Sequence, residues 1–337
     1  MSRAAVPFPD SSPDGYEWFC DENLFDPSIH LALEKPTQIR YLEEFGYSEH
    51  EIASKATAVA VTSPFRILSD EGSRVMLQVT RSLRAHAISC ERIENMVRGG
   101  CYRSKFLRDL CIEPSVTDLL CDVYGVDIAP HTMPLHLGHI NFSPDDLSKA
   151  VDKWHHDTLP LDYVMMVSDP ATLSGGKFEY FVGTKQEMAE LASRGETPPR
   201  DRVVAPYFPG PGYAIALHGD MIAHRGGSLQ KPGERITMVN GYVSTDTHGD
   251  DQHRHKDLTL VDDPQVLYTE WAKHAAWRAR GRLDNLLAEI PFNPDAKQVA
   301  MLLEEAIKDV SQTIEEMRND EEHQMHHYER SKTKRAV

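Results

Sequence analysis

Apolar and polar residues alternate in short runs through the middle of the chain, and Gly, Pro or Asp turns separate these runs. A period of two predicts half-buried strands. The predicted strands are 57–68 with a break at Pro64, 130–142, 163–168, 178–183 and 213–218. Because strand follows strand through short turns, the pattern favours a mainly β fold with flanking helices, built on an antiparallel double-sheet jelly roll.

Helical spacing of apolar residues appears before this strand-rich stretch and at its start. A helix is predicted to begin after Pro36 and to run through Phe45, and a second short helix should begin at Ser48. Ser69 or Asp70 can cap a longer helix that directly follows the first predicted strand. The sequence therefore predicts helices that flank the sheets.

Helical patterns return in the second half of the chain. An inserted helix at 186–193, within the polar stretch 184–204, is expected to border the pocket. Two amphipathic helices are predicted to begin near Pro264 and Asn293, and the charged end 318–337 is expected to be frayed. These C-terminal helices would brace the core or form the seam of a homodimer.

These patterns divide the chain into three parts. Residues 1–56 form an N-terminal arm with short helices, 57–245 form the jelly-roll core, and 246–337 form a helical C-terminal extension. The polar stretch 246–255 is interpreted as a linker, and we assign no functional site to its histidines. Five cysteines without a C-x-x-C pair argue against a disulfide framework.

Charge and hydropathy exclude several classes of partner. A formal net charge of −16 argues against a nucleic-acid surface, which needs clustered Lys and Arg. The short basic tail 330–335 follows an acidic stretch and is interpreted as a solvated end. No apolar run approaches the ~18 residues of a membrane-spanning helix, and the N-terminus lacks the apolar stretch of a signal peptide. We therefore expect a cytoplasmic protein.

Two histidines and an aspartate form the candidate metal site. In a strand, alternate side chains face the same side, so His155 and Asp157 project together while His156 points away. His224 follows 67 residues later (224 − 157), a gap that suits strands leaving a sheet and returning to it. Two imidazoles and one carboxylate leave three positions of an octahedral metal open, as non-haem Fe(II) oxygenases require.

A candidate anion-binding pair follows this site. Arg235 lies 11 residues after His224 (235 − 224), and the turn Pro232-Gly233 between them can reverse the chain. A planar guanidinium fits a carboxylate with two hydrogen bonds, and Thr237 can add a hydroxyl on the same face. A dicarboxylic 2-oxo acid could then bind the metal at one end and Arg235 at the other.

The ordered set of His-x-Asp, a distant His, and an Arg eleven residues later with a Thr two beyond it resembles the Fe(II)/2-oxoglutarate-dependent dioxygenases, in particular their phytanoyl-CoA hydroxylase-like branch. Segment 64–71 resembles the opening strand and helix of that branch. Segments 102–110 and 119–125 resemble its next helical pair. The resemblance covers roughly residues 60 to 245 and implies a double-stranded β-helix core of the cupin-like type.

The resemblance also implies an oxidoreductase that holds Fe(II) and uses 2-oxoglutarate and O2. His155, Asp157 and His224 would be its catalytic metal ligands. The substrate would be a small molecule, such as an intermediate of specialised metabolism, and succinate and carbon dioxide would be released. Hydroxylation is the expected outcome, with desaturation, epoxidation and ring formation as related C–H oxidations.

Four further residues are candidates for the pocket. In the resembled family, the strand before the His-x-Asp strand can place a polar side chain near the co-substrate, so Asn141 joins Arg235 and Thr237 as a co-substrate contact. Three basic residues lie in a segment that could face the pocket and bind an anionic substrate: Arg98, Arg103 and Lys105.

Two other classes of function remain open at this point. The same three ligands could hold zinc for hydrolysis, since histidine and carboxylate oxygen also suit Zn²⁺. That hypothesis gives Arg235 no 2-oxo acid to bind and requires a carboxylate general base nearby. The jelly roll could also be a non-catalytic metabolite-binding protein that keeps its metal for stability. Metal identity and turnover of 2-oxoglutarate separate the three hypotheses.

Overall fold

The computed structural model describes residues 5–319 and 323–329, and the basic tail 330–335 lies outside them. The strands of this part are β1 (Ile39–Tyr41), β2 (Val59–Thr62), β3 (Phe65–Arg66), β4 (Asn95–Val97), β5 (Ile128–Pro130), β6 (His139–Phe142), β7 (Asp152–His155), β8 (Leu161–Met166), β9 (Phe178–Phe181), β10 (Val203–Val204), β11 (Tyr213–His218), β12 (His224–Gly226) and β13 (Ile236–Ser244). The α-helices are α1 (Pro27–His30), α2 (Glu49–Ala53), α3 (Asp70–Leu83), α4 (Lys105–Cys111), α5 (Pro114–Tyr124), α6 (Lys185–Arg194), α7 (Pro264–Glu289), α8 (Ala296–Ala306) and α9 (Lys308–Arg318).

Two antiparallel sheets form the core. The large sheet has the strand order β1-β2-β11-β8-β13-β6-β4, with β3 paired to β11 and β5 paired to β13. The small sheet has the order β10-β9-β12-β7. Helices hold more residues than strands because the C-terminal extension is largely helical and α3, α4, α5 and α6 flank the sheets, yet the sheets form the centre of the molecule. The expected fold class, a cupin-like double-stranded β-helix with flanking helices, is confirmed.

Strand β8 shows how the sequence builds the layers. All six of its residues are buried, which explains its nearly continuous apolar sequence. Tyr163 and Met165 pack in the cluster that contains the buried faces of α3, α4 and α5. Val164 and Met166 point the other way and pack with Phe178 of the small sheet. The large sheet therefore lies between a helical layer and the small sheet.

Several predicted elements are confirmed. Ser69 caps α3, since its hydroxyl accepts the N–H of Gly72, and Ser48 caps α2 in the same manner through Glu51. The break at Pro64 separates β2 from β3. The inserted helix appears as α6, although it packs through Met188 on the outside of the small sheet and does not border the cavity described below. The expectation for stretch 184–204 is corrected accordingly.

Two other predictions were wrong in part. The helix expected from Pro36 to Phe45 is strand β1 followed by a single 3-10 turn, because the edge of β2 offers hydrogen bonds to an extended segment. The strand expected at 130–142 is β5 and β6, separated by a 3-10 turn at Pro134–His136. Proline lacks the N–H that a continuous ladder would need there.

The C-terminal extension is more closely packed than the sequence predicted. The first half of α7 buries Leu267 and Trp271 against Tyr102 and Leu135. Segment 323–329, which falls in the end expected to be frayed, runs along β7. There the N–H of Tyr328 donates to the carbonyl of Trp154 at 2.7 Å. None of the described helices is both long and apolar enough to cross a bilayer.

Candidate metal centre and co-substrate pocket

The three predicted metal ligands converge at one end of the small sheet. His155 ends β7, Asp157 lies two residues beyond, and β12 begins with His224, which is in register with His155. The Nε2 atom of His155 lies 3.2 Å from Oδ1 of Asp157, and that of His224 lies 3.4 Å from Oδ2. The ligand-capable atoms of the three residues all lie within 4.8 Å of one another. The spacing in the sequence therefore corresponds to a metal-sized group in space.

Hydrogen bonds on the far side of each ring define which nitrogen faces the centre. Nδ1 of His155 lies 2.6 Å from the carbonyl of Lys153, and Nδ1 of His224 lies 2.9 Å from that of Ile222. A carbonyl only accepts, so both Nδ1 atoms carry the proton, and in a neutral ring Nε2 presents its lone pair. These lone pairs face the carboxylate oxygens of Asp157. Such an arrangement of acceptors fits a cation between them and matches the usual support of metal-bound histidine.

The protonation states agree with this fit. Burial lowers the pKa of His155 and His224, so both rings are neutral at pH 7. Burial alone would raise the pKa of Asp157, but positive charge nearby, which includes that of Arg92, outweighs it and holds this pKa below its usual range. The centre therefore combines one negative charge with two neutral nitrogen donors.

His156 points away from this centre, as the alternation of the strand predicts. Its ring is buried against the C-terminal segment, with Nδ1 2.8 Å from the hydroxyl of Tyr328 and its centroid 4.0 Å from that of His326. The residue therefore joins β7 to segment 323–329 and takes no part in the metal group.

A cavity extends from the metal group between the two sheets. It brings together seven of the predicted site residues, which are His155, Asp157, His224, Arg235, Thr237, Asn141 and Arg98. Its apolar lining includes Val164, Phe178 and Val239. The ring of Phe178 stacks on His224 at a centroid distance of 5.4 Å. The metal group thus lies at one side of a pocket with apolar walls.

Arg235 is a buried cation in this cavity. Only 2% of the residue is exposed, and Nε donates to the carbonyl of Gly176 at 2.6 Å. Nη1 lies 3.4 Å from the hydroxyl of Thr237, and no carboxylate of the described residues lies within ion-pair distance of the guanidinium. Burial lowers the pKa of Arg235 to about 10, which leaves it charged at pH 7. The charge of Asp152 acts on Arg235 from beyond ion-pair distance and offsets only part of this burial, so the cavity can accept an anion beside Arg235.

Asn141 lies beside this cation on the next strand. In the register of β13 and β6, Asn141 is opposite Thr237. Its side-chain oxygen lies 2.5 Å from Nε2 of His139. Burial lowers the pKa of His139 to about 3, so that ring is neutral. Asn141 is thus placed at the wall of the cavity next to Arg235 and Thr237.

The three predicted substrate residues lie in different places. Arg98 lines the cavity, but its guanidinium donates two hydrogen bonds to Asp262, at 2.9 and 2.7 Å. Arg103 lies outside the lining residues, where its guanidinium packs over the ring of Tyr16. Lys105, at the start of α4, is also outside the lining. Of the three, Arg98 alone remains a candidate, and its charge is already paired.

Several lining residues were not found from the sequence. Arg92 reaches the cavity and lies 3.1 Å from Asp152, at the start of β7. Leu258, Val261 and Met325 belong to the C-terminal extension and close another wall. Arg92 could have been found as a further basic residue close to Arg98. The other three follow no local pattern, because long-range packing brings them to the site.

A second group of possible metal ligands was also missed. Asp251, His253 and His255 belong to the stretch interpreted as a linker, and His274 of α7 joins them. The alternate spacing of the first three was visible in the sequence. Their convergence with a helix about twenty residues later was not.

Comparison with family models gives no match, and comparison with curated protein sequences gives none either. Among solved structures, the chain is similar to EctD from S. alaskensis with bound Fe, at 16% identity over 75% of this chain and 94% of that chain, with a TM-score of 0.42. It is also similar to HygX from Streptomyces hygroscopicus with nickel and 2-oxoglutarate bound, at 14% identity over 58% and 85%, with a TM-score of 0.42.

A third similar structure is the non-heme alpha ketoglutarate dependent epimerase SnoN from nogalamycin biosynthesis, at 16% identity over 52% of this chain and 74% of that chain, with a TM-score of 0.37. The expected resemblance to non-haem 2-oxoglutarate-dependent enzymes is confirmed as a structural likeness.

Proposed function

We propose that this protein is a non-haem Fe(II)/2-oxoglutarate-dependent oxygenase that acts on a small molecule. The observation that supports this function best is that one cavity contains both a group of donor atoms suited to a cation and a buried cation suited to an anion. The group His155, Asp157 and His224 is arranged for a cation, and Arg235 is a buried cation with no carboxylate of the described residues within ion-pair distance. A 2-oxo dicarboxylate could bind the metal at one end and Arg235 at the other.

The metal group would supply the reactive centre of the site. His155, Asp157 and His224 would hold the iron, and their three donor atoms leave other positions open. The bound iron would supply the dioxygen chemistry by which 2-oxoglutarate becomes succinate and carbon dioxide while a substrate C–H bond is oxidised. The main-chain carbonyls that accept hydrogen bonds from Nδ1–H of His155 and His224 would keep Nε2 of each ring directed toward the metal.

The co-substrate would lie between the metal group and β13. Arg235 can take the distal carboxylate in two hydrogen bonds, with Thr237 as a further donor and Asn141 across the strand pair. The carbonyl of Gly176 holds Nε of Arg235 and thereby orients the remaining N–H groups. The apolar side chains of Val164 and Phe178 exclude water from this part of the cavity.

The substrate would pack against the wall formed by the C-terminal extension. Leu258, Val261 and Met325 give this side an apolar surface, and the nearby Arg92 and Arg98 are paired with Asp152 and Asp262. This lining suits a small molecule of mixed polarity. Hydroxylation is the simplest outcome, and desaturation, epoxidation or ring formation would need the same placement of a C–H bond near the metal.

The zinc hydrolase considered from the sequence explains less of the site. It accounts for the three metal ligands but gives no partner to Arg235. The free-energy cost of burying this charge would then have no compensating ion pair. A non-catalytic metabolite-binding protein would bind the same anion, so turnover has to separate it from the oxygenase.

The test is the binding of labelled 2-oxoglutarate to the Fe(II)-loaded protein under anaerobic conditions. Arg235→Ala removes one partner of a buried charge pair, which typically costs at least 2 kcal/mol, so we expect affinity to fall by about 30-fold or more. Iron content should be unchanged. Arg81→Ala, which removes an exposed arginine paired with Glu234, is the matched control and should bind as the wild type does.

Turnover completes the test. With O2 and a library of small molecules, the wild-type protein should release succinate, and a productive substrate should increase that release. Equal affinity of wild type and Arg235→Ala for 2-oxoglutarate would contradict the proposed co-substrate. Tight binding without any succinate release across the library would favour the metabolite-binding alternative.

A further inference from the structure

The group formed by Asp251, His253, His255 and His274 lies where the C-terminal extension meets the core. Oδ2 of Asp251 is 3.0 Å from Nε2 of His274 and 3.2 Å from Nε2 of His255. The ligand-capable atoms of all four residues lie within 4.8 Å of one another. The side chain of His274 is 1% exposed, that of His255 5%, and that of Asp251 17%. These side chains are therefore placed by the fold and not by chance on a surface.

A chain of hydrogen bonds assigns His253 to one oxygen of the carboxylate. The main-chain N–H of Met133 donates to Nδ1 of His131, so the proton of this neutral ring is on Nε2. That Nε2 lies 2.8 Å from Nε2 of His253, which must accept. His253 therefore keeps its proton on Nδ1, 2.5 Å from Oδ1 of Asp251. One oxygen is occupied, and Oδ2 remains for other partners.

The other oxygen faces two imidazole nitrogens. Nδ1 of His274 lies 2.6 Å from the hydroxyl of Thr132, which can accept a hydrogen bond from Nδ1–H. The lone pair of the neutral ring is then on Nε2. Nδ1 of His255 is buried and has no hydrogen-bond partner among the described residues. The contact with Asp251 is therefore the one polar contact that holds this ring in the part of the chain the structure describes.

The distances match those of the candidate iron site. There the two Nε2 atoms lie 3.2 and 3.4 Å from the carboxylate of Asp157, and here they lie 3.2 and 3.0 Å from that of Asp251. In both groups the carboxylate and one imidazole come from one short segment of the chain, and the second imidazole comes from a distant segment. In both, other hydrogen bonds orient part of the group, as is usual around metal ligands.

We propose that Asp251, His255 and His274 bind a second divalent cation of the zinc class. His253 would orient the carboxylate through its hydrogen bond to Oδ1 of Asp251. Imidazole nitrogen and carboxylate oxygen are ordinary zinc ligands, and three of them leave a fourth tetrahedral position. A cavity lined by Asp251, His253 and Gln252 reaches the group from outside. Water from this cavity can fill the fourth position.

The cation would link two parts of the C-terminal extension. Two ligands come from the polar stretch after β13, and one comes from α7, ten residues after its start at Pro264 (274 − 264). Asp257, Leu258 and Val261 follow directly on the same stretch and line the cavity of the candidate iron site. A cation at Asp251 would therefore stabilise the wall against which a substrate packs, while remaining separate from the iron ligands.

The experiment uses the full chain with the first site removed. In the double variant His155→Ala and Asp157→Ala, metal is stripped with a chelator, and Co²⁺ or Zn²⁺ is then titrated. We expect about one equivalent bound, with the intense visible absorption of tetrahedral Co²⁺, and a rise in Tm with Zn²⁺. Because the iron site is absent, the outcome is independent of the proposed function.

Single substitutions in this background identify the ligands. His274→Gln and Asp251→Asn, which change shape little, should each abolish the bound equivalent. His253→Gln should weaken binding by about 10- to 100-fold, as the loss of a residue that orients a ligand does. His248→Gln is the matched control, since this exposed histidine of the same stretch contacts Asp246 and lies outside the group.

Two results would overturn the proposal. One is a failure of the double variant to retain either Co²⁺ or Zn²⁺ after gel filtration, which would show a hydrogen-bonded network without a metal. The other is full binding by folded His274→Gln or Asp251→Asn protein. Far-ultraviolet circular dichroism identifies any variant that does not fold, and the remaining folded variant together with the double variant then decides.

Discussion

Adjacent residues at the end of β7 have opposite environments. His155 turns toward Asp157 and His224, whereas His156 turns toward Tyr328 and the C-terminal segment. The cause is the two-residue period of a strand, which places neighbouring side chains on opposite faces of a sheet. A single step along the chain thus separates a candidate metal ligand from a packing residue.

This difference gives a prediction with a built-in control. His155→Gln should abolish retention of Fe(II), because one of only three donors is lost. His156→Gln should keep the iron and lose about 1 kcal/mol of unfolding free energy with the hydrogen bond to Tyr328. Iron content after gel filtration and urea unfolding measure the two effects. Equal iron content in both variants would contradict the assignment of His155.

At this scale, alternation and spacing were enough to predict that His155, Asp157 and His224 lie together and that Arg235 shares their cavity, while their roles stay predictions. They were not enough for residues whose role depends on a distant partner. Arg98 was expected to be free for a substrate, yet Asp262, 164 residues later, pairs with it. The partner of a charged side chain is decided by tertiary packing, which local periodicity does not contain.

The turn between β8 and β9 supports Arg235 through its backbone. Gly176 has φ +65°, a conformation that favours glycine, and its carbonyl accepts the Nε proton of Arg235. A Cβ at this position would lie 2.7 Å from Leu229 Cδ2 and 3.0 Å from Arg235 Cδ. The orientation of the guanidinium therefore depends on a glycine in the turn.

We predict that Gly176→Ala weakens 2-oxoglutarate binding to the Fe(II)-loaded protein, because the new methyl group displaces Arg235. The left-handed backbone also costs about 1 kcal/mol of stability. Gly195→Ala shares that cost, since its φ is +73°, but nothing lies within 4 Å of its added Cβ. Both variants should be less stable, and Gly176→Ala alone should bind 2-oxoglutarate less tightly. Matching affinities would argue against this role of the turn.

Elements with strong local patterns were predicted best. Helix α3 combines a serine cap with a regular apolar face, and β8 is a continuous apolar run. Strand β1 was mistaken for a helix because its three residues extend only through pairing with β2. Segment 323–329 was expected to be frayed because its hydrogen bonds go to β7, far away in the sequence. Non-local pairing explains both errors.

At the scale of the whole molecule, the C-terminal extension has two distinct parts. The first half of α7 packs on the core, and the stretch before it supplies a wall of the candidate active site. The far end of α7, the loop that follows it and the next two helices expose large apolar side chains, which include Leu287, Phe292, Met301 and Leu303. Such a surface is typical of an interface, and the homodimer expected from the sequence remains a prediction.

If this surface is the dimer seam, the wild-type protein should be a dimer by light scattering after size exclusion at micromolar concentration. The double variant Leu287→Ser and Met301→Ser should shift it toward the monomer, because both apolar contacts are lost. Tyr207→Ser removes an equally exposed side chain of the loop before β11 and should leave the mass unchanged. A monomeric wild-type protein would rule out the seam.

The central claim joins the metal group and Arg235 in a single site, and one measurement tests both. Apo-protein is titrated anaerobically with Fe(II) and 2-oxoglutarate while the visible spectrum is recorded. We expect a weak charge-transfer band that requires both additions and is lost in Asp157→Ala and strongly reduced in Arg235→Ala at equal ligand concentration. Absence of the band in wild-type protein that binds zinc instead would contradict the oxygenase.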